Sequence, residues 1–305
     1  VKNLVKYTYD VGGKTYAVGA VESTSGIIYN KEIFERCGLS VPQTYQDFLN
    51  ICKTLESKGI TPIGVGGSDL WHMEYWVNHF FRTDVLSKNP DWLKQCSEGV
   101  VSWTDAEAIQ MLNDLKNLFD VGYVNDDWQT TRDGNLPYKI AMMYTGPWTS
   151  FAIQKLNPSM ELGWFYVPDV KGVTYAGDNL DTFWSVTKEC EEDPDKYDAA
   201  MTFLKYFYSE QNYTLTCEAI CSFPLTKEWI ATAGVPFQEE TERAFRSSDK
   251  QIATYIGDED TPVDFEKGML LLLRSEWNSE VSVTDTAQHI QQLWNSCEAS
   301  QEANQ

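Results

Sequence analysis

Residues 13–34 read GKTYAVGAVESTSGIIYNKEIF, and this stretch decides the fold. Residues 16–18 and 27–29 have the β-branched and aromatic composition of strands, and small and polar residues lie between them. Asn30 is suited to cap a helix that begins at Lys31. The stretch therefore predicts two strands followed by a helix, with Glu22 between the two strand segments.

The size and charge of the chain limit the functions it can have. A chain of 305 residues exceeds what one hydrophobic core usually supports, so two domains are predicted. The 45 acidic and 24 basic residues give a net charge of −21, which disfavours binding to nucleic acid or to an anionic membrane surface. No apolar run approaches the roughly 20 residues that span a bilayer, so direct membrane insertion of this chain is not predicted.

The cysteines and the C-terminal end give further expectations. Seven cysteines are an odd number, so at least one thiol is free or bridges another chain. Cys217 and Cys221 are one helical turn apart, and we expect them to share a helix face as core residues. The polar tail over residues 298–305 is predicted to be disordered.

No motif argues for catalysis, a metal or a cofactor. The sequence GGKT at 12–15 lacks the upstream glycine of a phosphate-binding loop and precedes a strand instead of a helix. The three histidines lack metal-ligand spacing, Ser25 lacks a nucleophile-elbow glycine, and the acidic stretch from Asp258 has Val263 where a calcium loop needs glycine. We therefore predict no catalytic residues, no metal and no cofactor.

Strand and helix patterns alternate along the chain and indicate an α/β fold. A hairpin is predicted over 7–18, and further strands are predicted over 60–65, 138–144, 163–168 and 181–186. Helices are predicted over 31–36, 45–58, 71–81, 196–209, 211–218, 239–247, 265–278 and 283–297, and a further helix begins near Thr104.

Aromatic residues are abundant, with 11 Trp, 16 Tyr and 14 Phe. Indole faces pack against sugar rings, and carboxylates and amides bind sugar hydroxyls, so a sugar site pairs the two in a cleft. Three loops next to predicted strand ends offer this pairing. Their candidate ligand-binding residues are Asp69, Trp71 and His72 in the first, Trp148 in the second, and Asp178, Asn179 and Asp181 in the third.

Five segments, in this order, resemble extracellular solute-binding proteins of ABC importers, in the sugar-binding, maltose-binding-protein-like branch (family 1). They are the opening stretch, VPQTYQDFLNICKTLESKGITPI (41–63), KIAMMYTGPWTSFAI (139–153), CSFPLTKEW (221–229) and SVTDTAQHIQQLW (282–294). Each segment is degenerate alone, and their joint order carries the resemblance.

The resemblance implies a periplasmic-binding-protein-like (type II) fold of two α/β lobes. Residues 1–23 and 181–225 are expected to form a partial N-terminal lobe, and residues 24–180 and 226–305 a nearly complete C-terminal lobe. By the same analogy, Glu22 hydrogen-bonds ligand hydroxyls at the first crossing between lobes, Trp148 stacks on the sugar, and Trp71 is the loop aromatic. Asp178, Asn179 and Asp181 fall at the return crossing. The N-terminal part of lobe one, with its export signal, is expected to lie upstream of this chain.

The function implied by the resemblance is capture of a sugar or oligosaccharide and its delivery to ABC permease subunits in the membrane. The implied location is extracellular or periplasmic, with a lipid anchor on the full-length protein. Two alternatives stay open: a glycoside hydrolase, whose sites also combine tryptophan with paired carboxylates, and a binding protein for a non-sugar solute such as a peptide or polyamine.

Overall fold

The structure is a computed structural model that describes residues 7–119, 123–125, 129–135, 139–177, 179–225, 236–276 and 280–303. Ten strands lie in these residues: β1 Thr8–Val11, β2 Lys14–Ser23, β3 Gly26–Asn30, β4 Thr61–Val65, β5 Tyr123–Asn125, β6 Ile140–Thr145, β7 Leu162–Phe165, β8 Tyr175–Gly177, β9 Asn179–Trp184 and β10 Lys250–Ile252.

Twelve α-helices lie in the same described residues: α1 Lys31–Cys37, α2 Tyr45–Ser57, α3 Leu70–Phe80, α4 Trp92–Ser97, α5 Ala106–Phe119, α6 Thr149–Leu156, α7 Lys188–Glu191, α8 Pro194–Phe207, α9 Glu210–Ala219, α10 Pro236–Ser247, α11 Phe265–Glu276 and α12 Val283–Ala303. A π-helical segment over Phe81–Leu86 continues α3, and another covers Thr130–Asn135.

The largest sheet has five strands in the order β5-β4-β6-β3-β7. Strand β4 pairs in parallel with β5 and β6, whereas β3 pairs antiparallel with β6 and β7. Strands β4, β6 and β7 therefore end at the same edge of the sheet, and β3 begins there. We call this edge the site edge.

Each face of the five-stranded sheet packs against its own set of helices. Because side chains alternate along a strand, Ile27 of β3 belongs to one core and Ile28 to the other. The first core takes apolar residues from α2, α3, α5, α11 and α12, and the second takes them from α6 and α10. The sheet is thus covered on both sides, as an α/β arrangement requires.

A separate sheet has three strands in the order β1-β2-β9. Its apolar side chains pack against α8 and α9 in a small core of Val18, Val21, Leu204, Tyr208, Tyr213 and Cys217. The phenol oxygens of Tyr208 and Tyr213 donate to the carbonyls of Gly19 and Ala20 of β2 at 2.5 and 2.7 Å. The remaining pair, β8 and β10, forms a two-stranded parallel sheet.

The α/β fold predicted from the sequence is confirmed, and several element boundaries agree closely. The hairpin forms through Gly12 and Gly13, whose φ values of 57° and 78° suit a two-residue turn of type I′. Asn30 caps α1 by accepting the amide proton of Ile33 at 3.1 Å. Thr44 and Asp47 form a reciprocal capping box at the start of α2.

Two expectations were wrong. Helix α9 ends at Ala219, so Cys221 does not share a helix face with Cys217, although both are buried. The chain turns at Cys221 with a φ of 49° because it must re-enter the edge of β2. Helix α12 runs to Ala303, so most of the tail predicted to be disordered is helical. All seven thiols are free.

The sequence patterns also missed several short elements, namely β5, β8, β10, α4, α7 and the two π-helical segments. The first residue of the strand predicted over 138–144 and the last two of the helix predicted over 265–278 lie outside the described residues.

Candidate functional site

The chain crosses from the three-stranded to the five-stranded sheet between Ser23, where β2 ends, and Gly26, where β3 begins. Residues 22–25 of this crossing are all buried. The Thr24 hydroxyl donates to the carbonyl of Gly177 at 2.9 Å and lies 2.9 Å from the Tyr166 hydroxyl, which can donate to it. Since Gly177 ends β8 just before β9, these bonds join the outgoing crossing to the return crossing.

Glu22 lies next to this crossing, as predicted, but it belongs to β2 and not to a segment between the two strands, because β2 extends to Ser23. Its backbone N–H and C=O both pair with Phe223, at 2.9 and 2.7 Å. Its Oε2 is 3.3 Å from Nη2 of Arg246 on α10, and the same nitrogen is 3.6 Å from Oε1 of Glu242. The Glu22 carboxylate is therefore held by a cation, as a buried charge requires. Its direct contact with a ligand stays a prediction.

The loop after β4 ends at Asp69, the residue before α3, and Trp71 and His72 lie in the first turn of α3 at the site edge. Asp69 precedes α3, and the Trp71 side chain is 42% exposed. The His72 ring is fully buried, and its Nδ1 accepts the amide proton of Gly66 at 2.9 Å. Burial lowers the pKa of His72 to about 3, so the ring is neutral at physiological pH.

The contacts of Trp71 show how its indole is supported. Its ring meets the rings of His72 and Tyr75 edge to face, with centroids 5.3 and 6.0 Å apart. In the described structure His72 therefore fixes the loop after β4 through Gly66 and packs against the buried side of the Trp71 ring. A direct ligand contact by His72 stays a prediction.

The loop after β6 brings Trp148 to the same edge. The indole is half-buried and lies over Gly146, where an added Cβ would meet ring carbons at 1.8 Å. Because β4 and β6 are paired in parallel through Gly64 and Met143, their two following loops leave the sheet side by side. Trp71, in the first turn of α3, and Trp148, just before α6, thus follow adjacent strands at one edge of the sheet, where ligands of α/β sheets bind.

The third predicted loop is described only in part. Asp178 lies outside the described residues. Asn179 and Asp181 belong to β9, and their side chains are also outside the description. Just before Asp178, Gly177 packs against the guanidinium of Arg82. A Cβ added at Gly177 would lie 2.7 Å from the central carbon of that guanidinium. Arg82 is 3% exposed and comes from the π-helical segment after α3.

Three residues that were not predicted from the sequence surround the crossings: Arg82, Tyr166 and Arg246. Arg246 and Glu22 are 224 residues apart, so no local spacing could reveal their pairing. One signal was available, because an acidic residue at the end of an apolar strand needs a cationic partner when it is buried.

The described residues hold neither a cluster of metal ligands nor a membrane-spanning helix. In this part of the chain no three His, Cys, Asp or Glu side chains are grouped so as to hold a metal ion. Among the same residues no helix combines the length and the apolar character needed to cross a membrane.

Comparison with known proteins adds the following similarities. The family described as "Bacterial extracellular solute-binding protein" matches residues 1–214. A multiple sugar-binding protein of Streptococcus mutans is 27% identical over 217 residues, covering 68% of this chain and 50% of that protein. The melibiose/raffinose/stachyose-binding protein MelE of Bacillus subtilis is 25% identical over 178 residues, covering 55% and 41%. The chain therefore spans about half the length or less of these relatives.

A solved chitin oligosaccharide binding protein superposes with a TM-score of 0.82 at 20% identity, covering 98% of this chain and 76% of that one. At this identity the likeness shows the fold, and the fold is the type II periplasmic-binding-protein-like one expected from the sequence.

Proposed function

Because this chain belongs to the family of bacterial extracellular solute-binding proteins, we propose that it is the substrate-binding component of an ABC importer for a sugar or oligosaccharide. The sugar would lie against Trp71 and Trp148 at the site edge. Binding is non-covalent, and the protein is not an enzyme in this proposal. The two relatives reported above are sugar-binding proteins, which supports the proposal.

One observation carries the proposal: the main chain passes between two sheets beside a pair of aromatic loops. Ser23 and Gly26 belong to different sheets, and Gly26 pairs with Thr145, three residues before Trp148. A ligand held between two bodies joined by such crossings favours their closed arrangement by its higher affinity for that state. We propose the lobes predicted above, 1–23 with 181–225 and 24–180 with 226–305, as those two bodies.

The partner and location follow from the same proposal. The loaded protein would dock on ABC permease subunits at the outer face of the membrane, held near it by a lipid anchor. The net charge of −21 supports recognition by a protein surface rather than by anionic lipid.

Calorimetric titration with melibiose, raffinose, stachyose and a chitin oligosaccharide tests the binding function. We expect saturable binding of at least one sugar, weakened roughly tenfold by Trp71→Ala and by Trp148→Ala, since each removes an aromatic platform. Tyr206→Ala is the matched control, because Tyr206 is a 65% exposed aromatic on α8, a helix that packs on the three-stranded sheet. Absence of binding by the wild-type chain for every sugar, or equal losses in all three variants, would contradict the proposal.

A further inference from the structure

A cavity of about 420 Å³, which we call the Asp84 cavity, lies among α2, the end of α3 and α5. Its wall also includes the π-helical segment after α3, which carries Asp84, and the segment that joins β7 to β8. Pockets that bind small molecules have volumes of about 300–1,000 Å³. Among the described residues, neither Trp71 nor Trp148 lines the Asp84 cavity, so it is separate from the sugar site proposed above.

Three buried polar atoms in residues of the cavity wall have no hydrogen-bond partner among the described residues. They are Oη of Tyr45, Nε2 of His79 and Oδ2 of Asp84. His79 is 3% exposed, so bulk solvent does not supply a partner for its imidazole. A buried polar atom without a partner raises the free energy of the folded state, and a ligand that bonds to these three atoms removes that cost.

The charged side chains of the Asp84 cavity are arranged by sign. Three half-buried aspartates belong to its wall: Asp84, Asp114 and Asp169. Three exposed lysines belong to it as well: Lys88, Lys171 and Lys250. The inner part of the cavity is therefore acidic, and its mouth is basic.

Asp84 differs from the other two aspartates in its hydrogen bonds. Oδ2 of Asp114 accepts a proton from the Gln110 amide at 2.8 Å, and Oδ2 of Asp169 accepts one from the Tyr175 hydroxyl at 3.2 Å. Oδ2 of Asp84 has no such donor among the described residues. A ligand ammonium group carries three donors and a positive charge, which suits this oxygen.

The electrostatics around Asp84 also favour a ligand cation. Burial, followed by the charge of Asp114, raises the pKa of Asp84 to about 7, so the charge of nearby Lys88 offsets these effects only in part. An ammonium group beside Asp84 would stabilise the ionised carboxylate, because opposite charges attract strongly where water is excluded.

The two signs of charge together select the kind of ligand. A ligand with only a cation would meet the three lysines at the mouth, and a ligand with only an anion would meet the three aspartates farther in. A zwitterion can pair with both, and hydrogen bonds between charged groups are stronger than those that a neutral sugar makes.

Aromatic rings supply the apolar part of the wall. Phe80 is buried, and its ring meets that of Tyr45 edge to face, with centroids 5.9 Å apart. Tyr175 is also buried, and Nζ of Lys250 lies 5.5 Å from the centre of its ring. The cavity thus offers an apolar surface for a ligand side chain next to its charged groups.

We propose that the Asp84 cavity is a second ligand site, which binds a small zwitterion of the amino acid or dipeptide class. The ammonium group of the ligand donates to Asp84, with Tyr45 and His79 as further acceptors, and its carboxylate pairs with the lysines at the mouth. No contact of the proposed sugar site enters this inference.

The first test uses the dipeptide leucylglycine and two blocked forms of it. Leucylglycinamide lacks the carboxylate, and N-acetyl-leucylglycine lacks the ammonium group. Binding is followed by NMR on the ring signals of Tyr175, assigned by Tyr175→Phe. We expect saturable binding of leucylglycine, and binding of N-acetyl-leucylglycine about 10- to 100-fold weaker, the range for a lost hydrogen bond to a charged group. The amide is expected to bind about 2- to 5-fold more weakly for each exposed lysine pair that it loses.

The second test changes the protein. Asp84→Asn keeps the shape of the side chain and removes its charge, so it is expected to weaken leucylglycine about 10- to 100-fold while N-acetyl-leucylglycine binds no worse than to the wild type. A merely structural role for Asp84 would weaken both forms by the same factor. Asp198→Asn is the matched control, because Asp198 is an exposed aspartate on α8, and it should change neither affinity. Lys171→Gln/Lys250→Gln should reduce the preference for leucylglycine over its amide.

Three results would overturn the inference: no saturable binding of leucylglycine, equal affinities for the three forms, or equal losses of leucylglycine and its acetylated form in Asp84→Asn. Raffinose is the neutral comparison. If raffinose shifts the Tyr175 signals and Asp84→Asn abolishes that shift, the cavity is a second sugar site and the inference is wrong. Sugar binding at the site edge is scored separately on Trp71 and Trp148, so either proposal can fail while the other stands.

Discussion

At the scale of single residues, His72 shows how a buried neutral ring supports an exposed aromatic. Its Nδ1 holds the Gly66 amide at 2.9 Å, and its ring edge meets Trp71. In the folded state the pKa of His72 is about 3, below the ordinary value of 6.5. Below pH 6.5 the unfolded chain therefore binds a proton at His72 that the folded chain does not bind. The contribution of His72 to stability is therefore present at neutral pH and falls as the pH drops from 6.5 toward 3.

The loss of stability at low pH that His72 causes gives a prediction for His72→Gln. The glutamine side-chain oxygen can still accept the Gly66 amide proton. Urea unfolding between pH 7.5 and 4.5 should show a shallower fall in the free energy of unfolding than in the wild type. The difference in slope reaches up to about 1.4 kcal/mol per pH unit for one proton. Equal slopes in the two proteins would contradict this, because they would mean that the pKa of His72 is the same in the folded and unfolded chains.

Gly146 gives a second prediction at this scale. A Cβ at Gly146 would meet the Trp148 ring at 1.8 Å, so Gly146→Ala must displace the indole. We expect sugar affinity to fall roughly 3- to 10-fold by calorimetry, the range for one aromatic contact.

A double-mutant cycle isolates this effect. In a chain that already carries Trp148→Ala, Gly146→Ala should have no further effect on sugar affinity, because the ring it displaces is gone. Additive losses would contradict the account of Trp148 as the stacking residue.

At the scale of elements, the helices and strands that could be predicted are those whose local sequence signals agree with their tertiary contacts. Helix α2 could be predicted almost to the residue, because Thr44 and Asp47 form a capping box and Phe48, Ile51, Cys52 and Leu55 form one apolar face. Strands β8 and β10 could not, since each has three residues and exists only by pairing with the other across 72 residues or more of chain. The π-helical segment after α3 also lacks a local signal, although it positions Arg82 against Gly177.

The capping box supplies a prediction for α2. Thr44→Ala removes the acceptor of the Asp47 amide proton and should lower the free energy of unfolding by about 1 kcal/mol in urea titrations. Thr54→Ala is the matched control on the same helix, because the Thr54 hydroxyl is exposed and only bonds back to the Asn50 carbonyl. Equal effects of the two substitutions would mean that the box does not stabilise the helix.

At the scale of the whole molecule, the crossing between the two sheets could be predicted from the strand pattern along the chain. The contacts that hold it in place come from residues far away in the sequence. The composition of residues 13–34 sufficed to predict β2, β3 and the helix that follows. The contacts that hold β2 come from far away, including Tyr208 to Gly19 over 189 residues and Tyr213 to Ala20 over 193. No periodicity in a single sequence identifies such partners, and Arg246 was missed for the same reason.

The two sheets differ in the size of their cores, and this predicts their dynamics. Among the described side chains, the three-stranded sheet rests on a core of six buried residues, whereas β3 and β6 lie between two larger cores. Amide protons of β2 that pair with β9 should therefore exchange with solvent faster than those of β3 that pair with β6, because regions with few buried contacts open at lower free energy. Hydrogen exchange followed by NMR measures both sets, and equal protection would indicate a single cooperative unit.

We propose above that a sugar binds at the site edge, where the segments that follow β4 and β6 lie next to the crossing. The most direct measurement is an NMR titration of the indole N–H signals with the panel of sugars, each signal assigned by Trp→Phe substitution. Saturable shifts are expected for Trp71 and Trp148, and none for Trp92 and Trp103, which are buried in one core of the five-stranded sheet. Shifts confined to other tryptophans, or no shift with any sugar of the panel, would contradict it.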